Sequence, residues 1–219
     1  MKTINIAIDG PAGAGKSTIA RRVSAELGYI YVDTGAMYRA AALYLTERGV
    51  SEGDIPNEVR NADISLKFVD GVQRVYLGDR DVSELIRTPE ISMAASKTSA
   101  VPAVRTHLFG LQQKLASENN VIMDGRDIGT VVLPDADVKI FLTASAEERA
   151  SRRYKELSEK PGCPSYQEIL DDIIKRDHQD MNRETAPLKQ ADDAVLVDST
   201  NLSLDEAVAE IARIIRERI

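Results

Sequence analysis

The chain has 219 residues, of which 43% are hydrophobic and 29% are charged. This length and composition predict one compact globular domain and exclude an intrinsically disordered or collagen-like chain. The net charge of −7 argues against a broad nucleic-acid-binding surface, because duplex binding needs many cations on one face. We therefore expect no nucleic-acid partner.

The cysteine content and the apolar runs bear on the location of the protein. Cys163 is the single cysteine, so the chain cannot form an internal disulfide bond. No run of the sequence approaches the roughly 20 apolar residues of a membrane span, and its first residues lack the apolar core of a signal peptide. These features predict a cytoplasmic protein with no membrane partner.

Short apolar runs alternate with helical patterns along the first part of the chain. The pattern predicts a buried strand over 4–8, a helix over Lys16–Leu27 that ends at Gly28, and a second strand over 29–32. A further helix is predicted from about 36 to 48, where Gly49 ends it.

The second half continues the alternation. Apolar runs at 121–123, 138–142 and 194–197 predict three further strands, and Ser203 begins a capping-box pattern that opens a terminal helix through about Arg218. Because strands alternate with helices, we expect an α/β fold in three layers, with a mostly parallel sheet and helices on both faces.

Two segments interrupt this alternation. Residues 64–77 alternate in polarity around Asp70-Gly71, which suits a tight turn, so we expect a small antiparallel hairpin insert there. Residues 157–166 contain Lys160-Pro161-Gly162 and a further proline, which predict a mobile connection between two helices.

The segment GPAGAGKS fits the phosphate-binding pattern G-x-x-x-x-G-K-[ST] and lies between a predicted strand and a predicted helix. Its glycines let successive N–H groups face a phosphate, and the helix N-terminus adds a positive dipole end. Lys16 is expected to reach the β- and γ-phosphates of a nucleoside triphosphate, and Ser17 to bind Mg²⁺. The predicted nucleotide-binding residues are Gly10, Pro11, Ala12, Gly13, Ala14, Gly15, Lys16, Ser17 and Thr18.

A P-loop alone does not say what the nucleotide is used for. The sequence has no Asn-Lys dipeptide of a guanine-reading element and no Ser-Gly-Gly-Gln signature of a transporter ATPase. The chain is also too short for a ring motor with its extra helical domain. A compact phosphotransferase is the interpretation that remains, beside a nucleotide-dependent switch.

Arginines and acids follow the predicted strands. Thr34 is expected to cap a helix whose first turns carry Tyr38 and Arg39, although Arg39 alone fits a solvated helix face equally well. Arg126 follows the strand at 121–123, where side chains reach the crevice of an open parallel sheet. The planar guanidinium donates two parallel hydrogen bonds to a phosphate.

Two further positions belong to this group of polar residues. Arg176 and Arg183 are seven apart and so share one helical face. Asp124 has two interpretations of equal weight: an acid of the Walker-B kind that holds Mg²⁺ directly or through water, or a strand-end aspartate that caps the next turn.

The segments 9–17, 33–39, 124–132 and 180–183 together resemble, in order and spacing, the bacterial cytidylate kinases, a P-loop nucleoside monophosphate kinase family. The resemblance runs over nearly the whole chain. It implies a single kinase domain over 1–219, an acceptor-binding lobe at about 36–106 with the β insert near 64–82, and a short lid at about 149–166.

The resemblance also implies roles for individual residues. Ser96, Arg105 and Asp127 would face cytosine, with Arg105 donating to its O2 and N3 and the other two accepting from the amino group that uracil lacks. Residues near the sugar would be Arg176 and Asp180. The predicted substrate-binding residues are Thr34, Tyr38, Arg39, Ser96, Arg105, Arg126, Asp127, Arg176, Asp180 and Arg183. The predicted catalytic residues are Lys16, Arg126, Arg149, Arg153 and Arg183, with Ser17 and Asp124 at the metal.

In the lid, Arg149 and Arg153 are four apart on one helical face and are expected to close over the triphosphate. An exposed face paired with glutamates fits Arg152 better. Tyr154 and residues 198–201 are expected to border the adenine.

The resemblance implies in-line transfer of the ATP γ-phosphoryl group to CMP or dCMP, with Mg²⁺, giving ADP and CDP or dCDP in pyrimidine metabolism. We expect a monomer. The alternative acceptors are UMP or another small metabolite.

Overall fold

The structure, a computed structural model, describes residues 3–69, 71–159 and 162–219. Asp70 of the predicted turn and Lys160 and Pro161 of the predicted connection lie outside the described residues. The strands and helices follow in chain order as β1 (Asn5–Asp9), α1 (Lys16–Leu27), β2 (Ile30–Asp33), α2 (Thr34–Glu47), α3 (Ile55–Glu58), β3 (Ile64–Val69), β4 (Val72–Leu77), β5 (Arg80–Asp81), α4 (Pro89–Thr98), α5 (Pro102–Glu118), β6 (Val121–Gly125), β7 (Val138–Thr143), α6 (Ala146–Leu157), α7 (Tyr166–Asn182), β8 (Val195–Asp198) and α8 (Leu204–Arg216).

A five-stranded parallel sheet forms the centre, in the order β2-β6-β1-β7-β8. All five strands that the apolar runs predict are present in it. Asn5 pairs with Val121 and Ile6 with Val138, so β1 lies between β6 and β7. The carboxyl ends of these strands therefore meet at one edge of the sheet, which confirms the predicted α/β fold and places the segments after them side by side.

The two faces of the sheet form two separate cores, because successive side chains in a strand point to opposite faces. Ile6 and Ile8 pack on one face against α1 and α8. Ala7 lies on the other face, whose core includes residues of α2, α4 and α5. This arrangement is the predicted three-layer fold with helices on both faces of the sheet.

The predicted antiparallel insert is present as a three-stranded sheet. β3 and β4 form a hairpin in which Ile64 pairs with Leu77, and β5 adds a short third strand through the pair Tyr76 and Asp81. Val75 of β4 is buried and joins the core on the α2 face of the central sheet, so the insert is packed onto the main body.

Two helices that the sequence analysis does not predict lie between the insert and β6. Thr88 caps α4 by accepting a hydrogen bond from Ile91 N at 3.2 Å, and Pro89 occupies its first position. Pro102 likewise begins α5. Prolines suit these first helical positions, where an N–H would have no helical partner. α5 and α7 are the longest helices of the described residues, with 17 residues each, and no helix among these residues could cross a membrane.

The terminal helix α8 packs its apolar face on the core of the protein. Ser203 and Glu206 form the predicted capping box of α8, and Ile211 is fully buried in the core under it. Replacing Ile211 by alanine should lower the free energy of unfolding by about 3 kcal/mol, because the change leaves a cavity. The half-exposed Leu204 begins the same helix, so Leu204→Ala is the matched control. Urea unfolding of both variants checks the prediction, and equal losses would contradict it.

Candidate active site

The loop between β1 and α1 lies tightly against the neighbouring strand β7. Gly10 has φ 151°, and a Cβ at this position would lie 1.9 Å from the carbonyl oxygen of Leu142, so only glycine fits. Gly15, at φ 86°, immediately precedes α1. These positive φ values bend the chain so that it enters the helix N-terminus in the manner of a phosphate-binding loop.

Lys16 lies beneath this loop and is buried. Its Nζ donates a hydrogen bond to the carbonyl oxygen of Pro11 at 2.7 Å. Burial, followed by the positive charge of Arg126, lowers the pKa of Lys16 to about 7, although the charge of Asp124 opposes the shift. A bound anion would favour the charged ammonium, so the position suits a negatively charged ligand.

Asp124 follows the apolar run of β6, near Lys16. Ser17 Oγ donates to its Oδ2 at 2.7 Å, and the Tyr31 hydroxyl donates to its Oδ1 at 3.2 Å. Burial, followed by the negative charge of Asp33, raises the pKa of Asp124 to about 6. These partners are side chains of other elements, not the turn after the strand, which favours the first of its two interpretations.

The oxygens of Ser17 and Asp124 fit a magnesium site. Both are hard oxygen donors, and Mg²⁺ commonly uses one or two protein ligands while phosphates and waters complete its shell. The Ser17 hydroxyl donates its hydrogen bond to the carboxylate, which leaves the lone pairs of the hydroxyl oxygen for a cation. Among the described residues, no group of three metal-ligating acids, histidines or cysteines is found.

Asp33, not Thr34, caps α2, which corrects the prediction for Thr34. Asp33 Oδ1 accepts from Ala36 N at 2.9 Å, and its Oδ2 lies 3.1 Å from a terminal nitrogen of Arg39. Thr34 is the first helical residue, and its hydroxyl donates to the backbone oxygen of Asp124 at 2.7 Å. The hydroxyl therefore joins the ends of β2 and β6.

One cavity of about 190 Å³ adjoins the P-loop at the carboxyl end of the sheet. The predicted substrate-binding residues all line it: Thr34, Tyr38, Arg39, Ser96, Arg105, Arg126, Asp127, Arg176, Asp180 and Arg183. Ala12 of the P-loop lines the same cavity, together with Ser92 and Ser99, which the sequence analysis does not single out. Five arginines and two aspartates line this space, so its walls carry an excess of positive charge suited to an anion.

The aspartates of the cavity hold most of its arginines. Arg126 Nε lies 2.8 Å from Asp180 Oδ2, and Arg183 lies 3.3 Å from Asp127 Oδ1. Arg105 also pairs with Asp127, so one carboxylate joins the side chains of α5 and of the segment after α7. These pairs orient the guanidinium groups before a ligand arrives.

Asp9 contributes to the site in a way that the sequence analysis missed. Its buried carboxylate accepts hydrogen bonds from Ile128 N at 2.8 Å and from Gly129 N at 2.7 Å. These amides begin a π-helical turn, Ile128–Val132, directly after Asp127. Burial raises the pKa of Asp9 to about 6. Asp9 therefore connects the P-loop strand to the turn that follows Asp127.

The structure brings Arg149 to the P-loop. Its side chain is buried, donates to the carbonyl oxygen of Ala12 at 3.0 Å and lies 3.0 Å from Asp177 Oδ1. A second bond, to the carbonyl oxygen of Ala144 at 2.9 Å, holds the guanidinium at the start of α6. The nucleotide-facing prediction for Arg149 thus has a structural basis, since the side chain already contacts the loop.

The other arginines of α6 are arranged differently. Arg153 is exposed and pairs with Glu156 at 3.0 Å, so the structure does not bring it to the P-loop. Arg152 pairs with Glu148, as the exposed-face interpretation expects, and donates to the carbonyl oxygen of Ser199 at 2.7 Å. The exposed-face interpretation therefore describes Arg153, whereas Arg152 is half-buried and is held against the segment at Ser199.

Two further predicted positions lie on α6 and α7. Tyr154 is half exposed and meets the ring of Tyr166 edge to face, with centroids 6.4 Å apart. Arg176 lines the cavity and pairs with Asp172 on its own helix at 3.0 Å. The roles of both residues stay predictions.

Comparison with known proteins gives a consistent result across the chain. The sequence model of the cytidylate kinase family matches residues 6–217. A cytidylate kinase of Caldicellulosiruptor bescii is 54% identical over 214 residues, which cover 96% of this chain and 95% of the relative. A cytidylate kinase of Carboxydothermus hydrogenoformans is 51% identical over 215 residues, which cover 97% of each chain.

Solved structures of lower identity share the fold. A gluconokinase from Sinorhizobium meliloti superposes with a TM-score of 0.51 at 15% identity, over 98% of this chain and 93% of the other. A shikimate kinase from Bacteroides thetaiotaomicron gives 0.50 at 14% identity, over 97% and 98%. These similarities concern the architecture alone.

Proposed function

The chain belongs to the cytidylate kinase family and transfers a phosphoryl group to CMP or dCMP in pyrimidine metabolism; we propose that ATP is the donor and that the acceptor occupies the arginine-lined cavity. The observation that carries this proposal is the sharing of one cavity by the P-loop and the arginines. Ala12 lines it together with Arg126 and Arg183. A triphosphate on the loop and a monophosphate among the arginines would therefore meet end to end.

On the donor side, the loop amides and Lys16 hold the triphosphate. The Lys16 ammonium is fixed by Pro11 and lies in the field of Arg126, so the two cations flank the place where negative charge accumulates. Ser17 and Asp124 would hold Mg²⁺, directly or through water. When bound, Mg²⁺ neutralises phosphate charge that would otherwise repel the acceptor.

On the acceptor side, an oxygen of the CMP phosphate attacks the γ-phosphorus. A new P–O bond forms to the acceptor, the bond from the γ-phosphorus to the bridging oxygen breaks, and ADP leaves with that electron pair. The acceptor phosphate is already ionised, so no general base is required. Tyr38, Arg39, Arg126 and Arg183 hold it in line, and catalysis rests on position and charge neutralisation.

The base and the sugar are proposed to contact the other end of the cavity. Arg105 would donate to O2 and N3 of cytosine, while Ser96 and Asp127 accept from its amino group. Asp180 pairs with Arg126, so the proposed sugar contact and the phosphate contact are joined by one ion pair. A buried site of this kind discriminates against a base that leaves its polar groups unpaired.

The larger divisions of the chain are also part of the proposal. One kinase domain spans 1–219, with an acceptor-binding lobe at about 36–106 and a lid at about 149–166. Lid closure would carry Arg153 to the triphosphate on the P-loop, which Arg149 already contacts through the carbonyl oxygen of Ala12. A monomer in the cytoplasm stays our prediction.

A panel of acceptors tests the proposal. CMP and dCMP should be phosphorylated with kcat/KM about 10²-fold or more above UMP, because uracil lacks the amino donor. AMP is the purine comparison in the panel. Arg105→Met should remove most of this preference. Lys114→Met on the same helix is the matched control, since Lys114 is exposed. Cytosine preference retained in Arg105→Met would contradict the assignment of Arg105.

The same panel separates the alternatives. Preference for UMP would identify a kinase of a different acceptor, whereas ATP consumption that is indifferent to added CMP would indicate a nucleotide-dependent switch.

A further inference from the structure

The tip of the β insert reaches back to the edge of the central sheet. β2 is an edge strand, so one row of its backbone groups lacks a neighbouring strand. Gln73 of β4 satisfies both backbone groups of Asp33 at the end of β2. Its Oε1 accepts from Asp33 N at 2.9 Å, and its Nε2 donates to Asp33 O at 3.3 Å. The side-chain amide thus acts as a one-residue extension of the sheet.

Asp33 connects this contact to the cavity. One oxygen of its carboxylate caps α2 and the other holds Arg39 at 3.1 Å. Both bonds depend on the position of the Asp33 backbone, because the side chain has only two rotatable bonds. A displacement of Asp33 would therefore shift Arg39 as well.

The guanidinium of Arg39 has an N–H group that is not used in the structure. Its Nε is buried and has no hydrogen-bond partner among the described residues. Leaving a buried charged donor unpaired is costly, and a guanidinium with free N–H groups in a cavity of positive charge suits a phosphate. Gly35 lies against the same guanidinium, where a Cβ would be 3.1 Å from a terminal nitrogen of Arg39. Glycine at this position, which has no Cβ, therefore leaves the room that the guanidinium occupies.

We propose that Gln73 is a positioning residue that holds Arg39, through Asp33, in place for the phosphate group of the acceptor nucleotide. This inference rests on the proposed function of the cavity. It gives the insert a part in phosphate recognition, although the insert supplies no residue of its own to the proposed set of acceptor contacts. Gln73 acts on the monophosphate group and not on the base.

A double-mutant cycle tests the positioning role. Gln73→Met keeps the length of the side chain but removes both hydrogen bonds. It should raise KM for CMP about tenfold and leave KM for ATP within about twofold. Arg39→Met should raise KM for CMP further. In the Arg39→Met background, Gln73→Met should have no added effect, because the residue through which it acts is gone.

Inhibition by cytidine distinguishes a positioning role of Gln73 from a merely structural one. It carries the base and the sugar but no phosphate, so its inhibition constant against CMP should be unchanged in Gln73→Met. Arg74→Met is the matched control, because Arg74 is the next residue of β4 and points to the opposite face. In Arg74→Met, KM for CMP, KM for ATP and the inhibition constant of cytidine should all equal those of the unaltered chain.

Several outcomes would overturn the inference. These are an equal loss of cytidine and CMP binding, an equal rise of KM for ATP, or effects of Gln73→Met and Arg39→Met that multiply. If thermal unfolding shows that Gln73→Met does not fold, Gln73→Asn replaces it in the double-mutant cycle. The shorter asparagine amide cannot reach both backbone groups of Asp33. Failure of the unaltered chain to phosphorylate CMP would instead contradict the proposed function itself.

Discussion

Replacement of Lys16 by methionine should lower kcat for CMP phosphorylation by about 10³-fold. The ammonium donates to the P-loop carbonyl of Pro11, whereas the other buried lysine of the described residues, Lys139, pairs with Asp193. The Lys16 side chain is buried, so methionine preserves the packing. Steady-state kinetics with ATP and CMP measure the loss.

The same variant should not lose stability. Burial already lowers the pKa of Lys16 to about 7, which means that the folded chain disfavours its charge, and methionine removes that cost. The lost hydrogen bond to the Pro11 carbonyl oxygen opposes this gain, so thermal unfolding should occur at nearly the same temperature. Lys175→Met, at an exposed position on α7, is the control for removing a lysine charge. Turnover within tenfold of the unaltered chain would contradict the role of Lys16.

Arg126→Ala should lower kcat about 10²- to 10³-fold and raise KM for CMP. Arg126 lines the cavity, is held by Asp180 at 2.8 Å, and donates to the carbonyl oxygen of Gly125 at 3.2 Å. Its guanidinium is therefore oriented before the acceptor arrives. Kinetics at saturating ATP separate the effect on kcat from the effect on KM.

Two further variants sharpen this prediction. Arg126→Lys should recover little of the lost rate, because an ammonium cannot donate two parallel hydrogen bonds to one phosphate. Arg60→Ala removes an exposed arginine and should leave both constants unchanged. Full recovery of turnover in Arg126→Lys would show that Arg126 contributes charge alone.

The strands of the central sheet could be predicted from the sequence because they are buried on both faces. β1 and β6 each contain a run of three consecutive apolar residues, and short runs of this kind are typical of strands in a parallel sheet covered by helices. The P-loop could also be predicted from the sequence, because its phosphate-binding groups lie on consecutive residues. Local patterns sufficed wherever neighbours in sequence are also neighbours in space.

The acceptor side shows where local patterns fail. α4 and α5 carry Ser96 and Arg105, and neither helix was predicted from its own residues. α5 has a buried glutamine, Gln112, and a buried arginine among its apolar positions, so its amphipathic pattern is weak. The positions of Ser96 and Arg105 came from the resemblance to a family, not from their spacing.

Contacts between residues that are distant in the chain leave no local pattern in the sequence. Asp9 binds amides that lie 119 and 120 positions away, and Gln73 binds a residue 40 positions away. The motif that begins at Asp9 draws attention to the residue but not to its partner. The cap at Asp33 was missed for a smaller reason, because Thr34 is also a capping type of residue.

The ion pairs that line the cavity have a consequence for turnover. Arg126 and Arg183 each already have a carboxylate partner, so a nucleotide phosphate at the proposed site would replace bonds in part and would not simply add new ones. Its gain in electrostatic energy is smaller than isolated arginines would supply. When the diphosphate dissociates, Asp180 and Asp127 can pair with these arginines again. In the proposed mechanism, the protein's own acids would thus compete with the product for these arginines and favour rapid dissociation over tight retention.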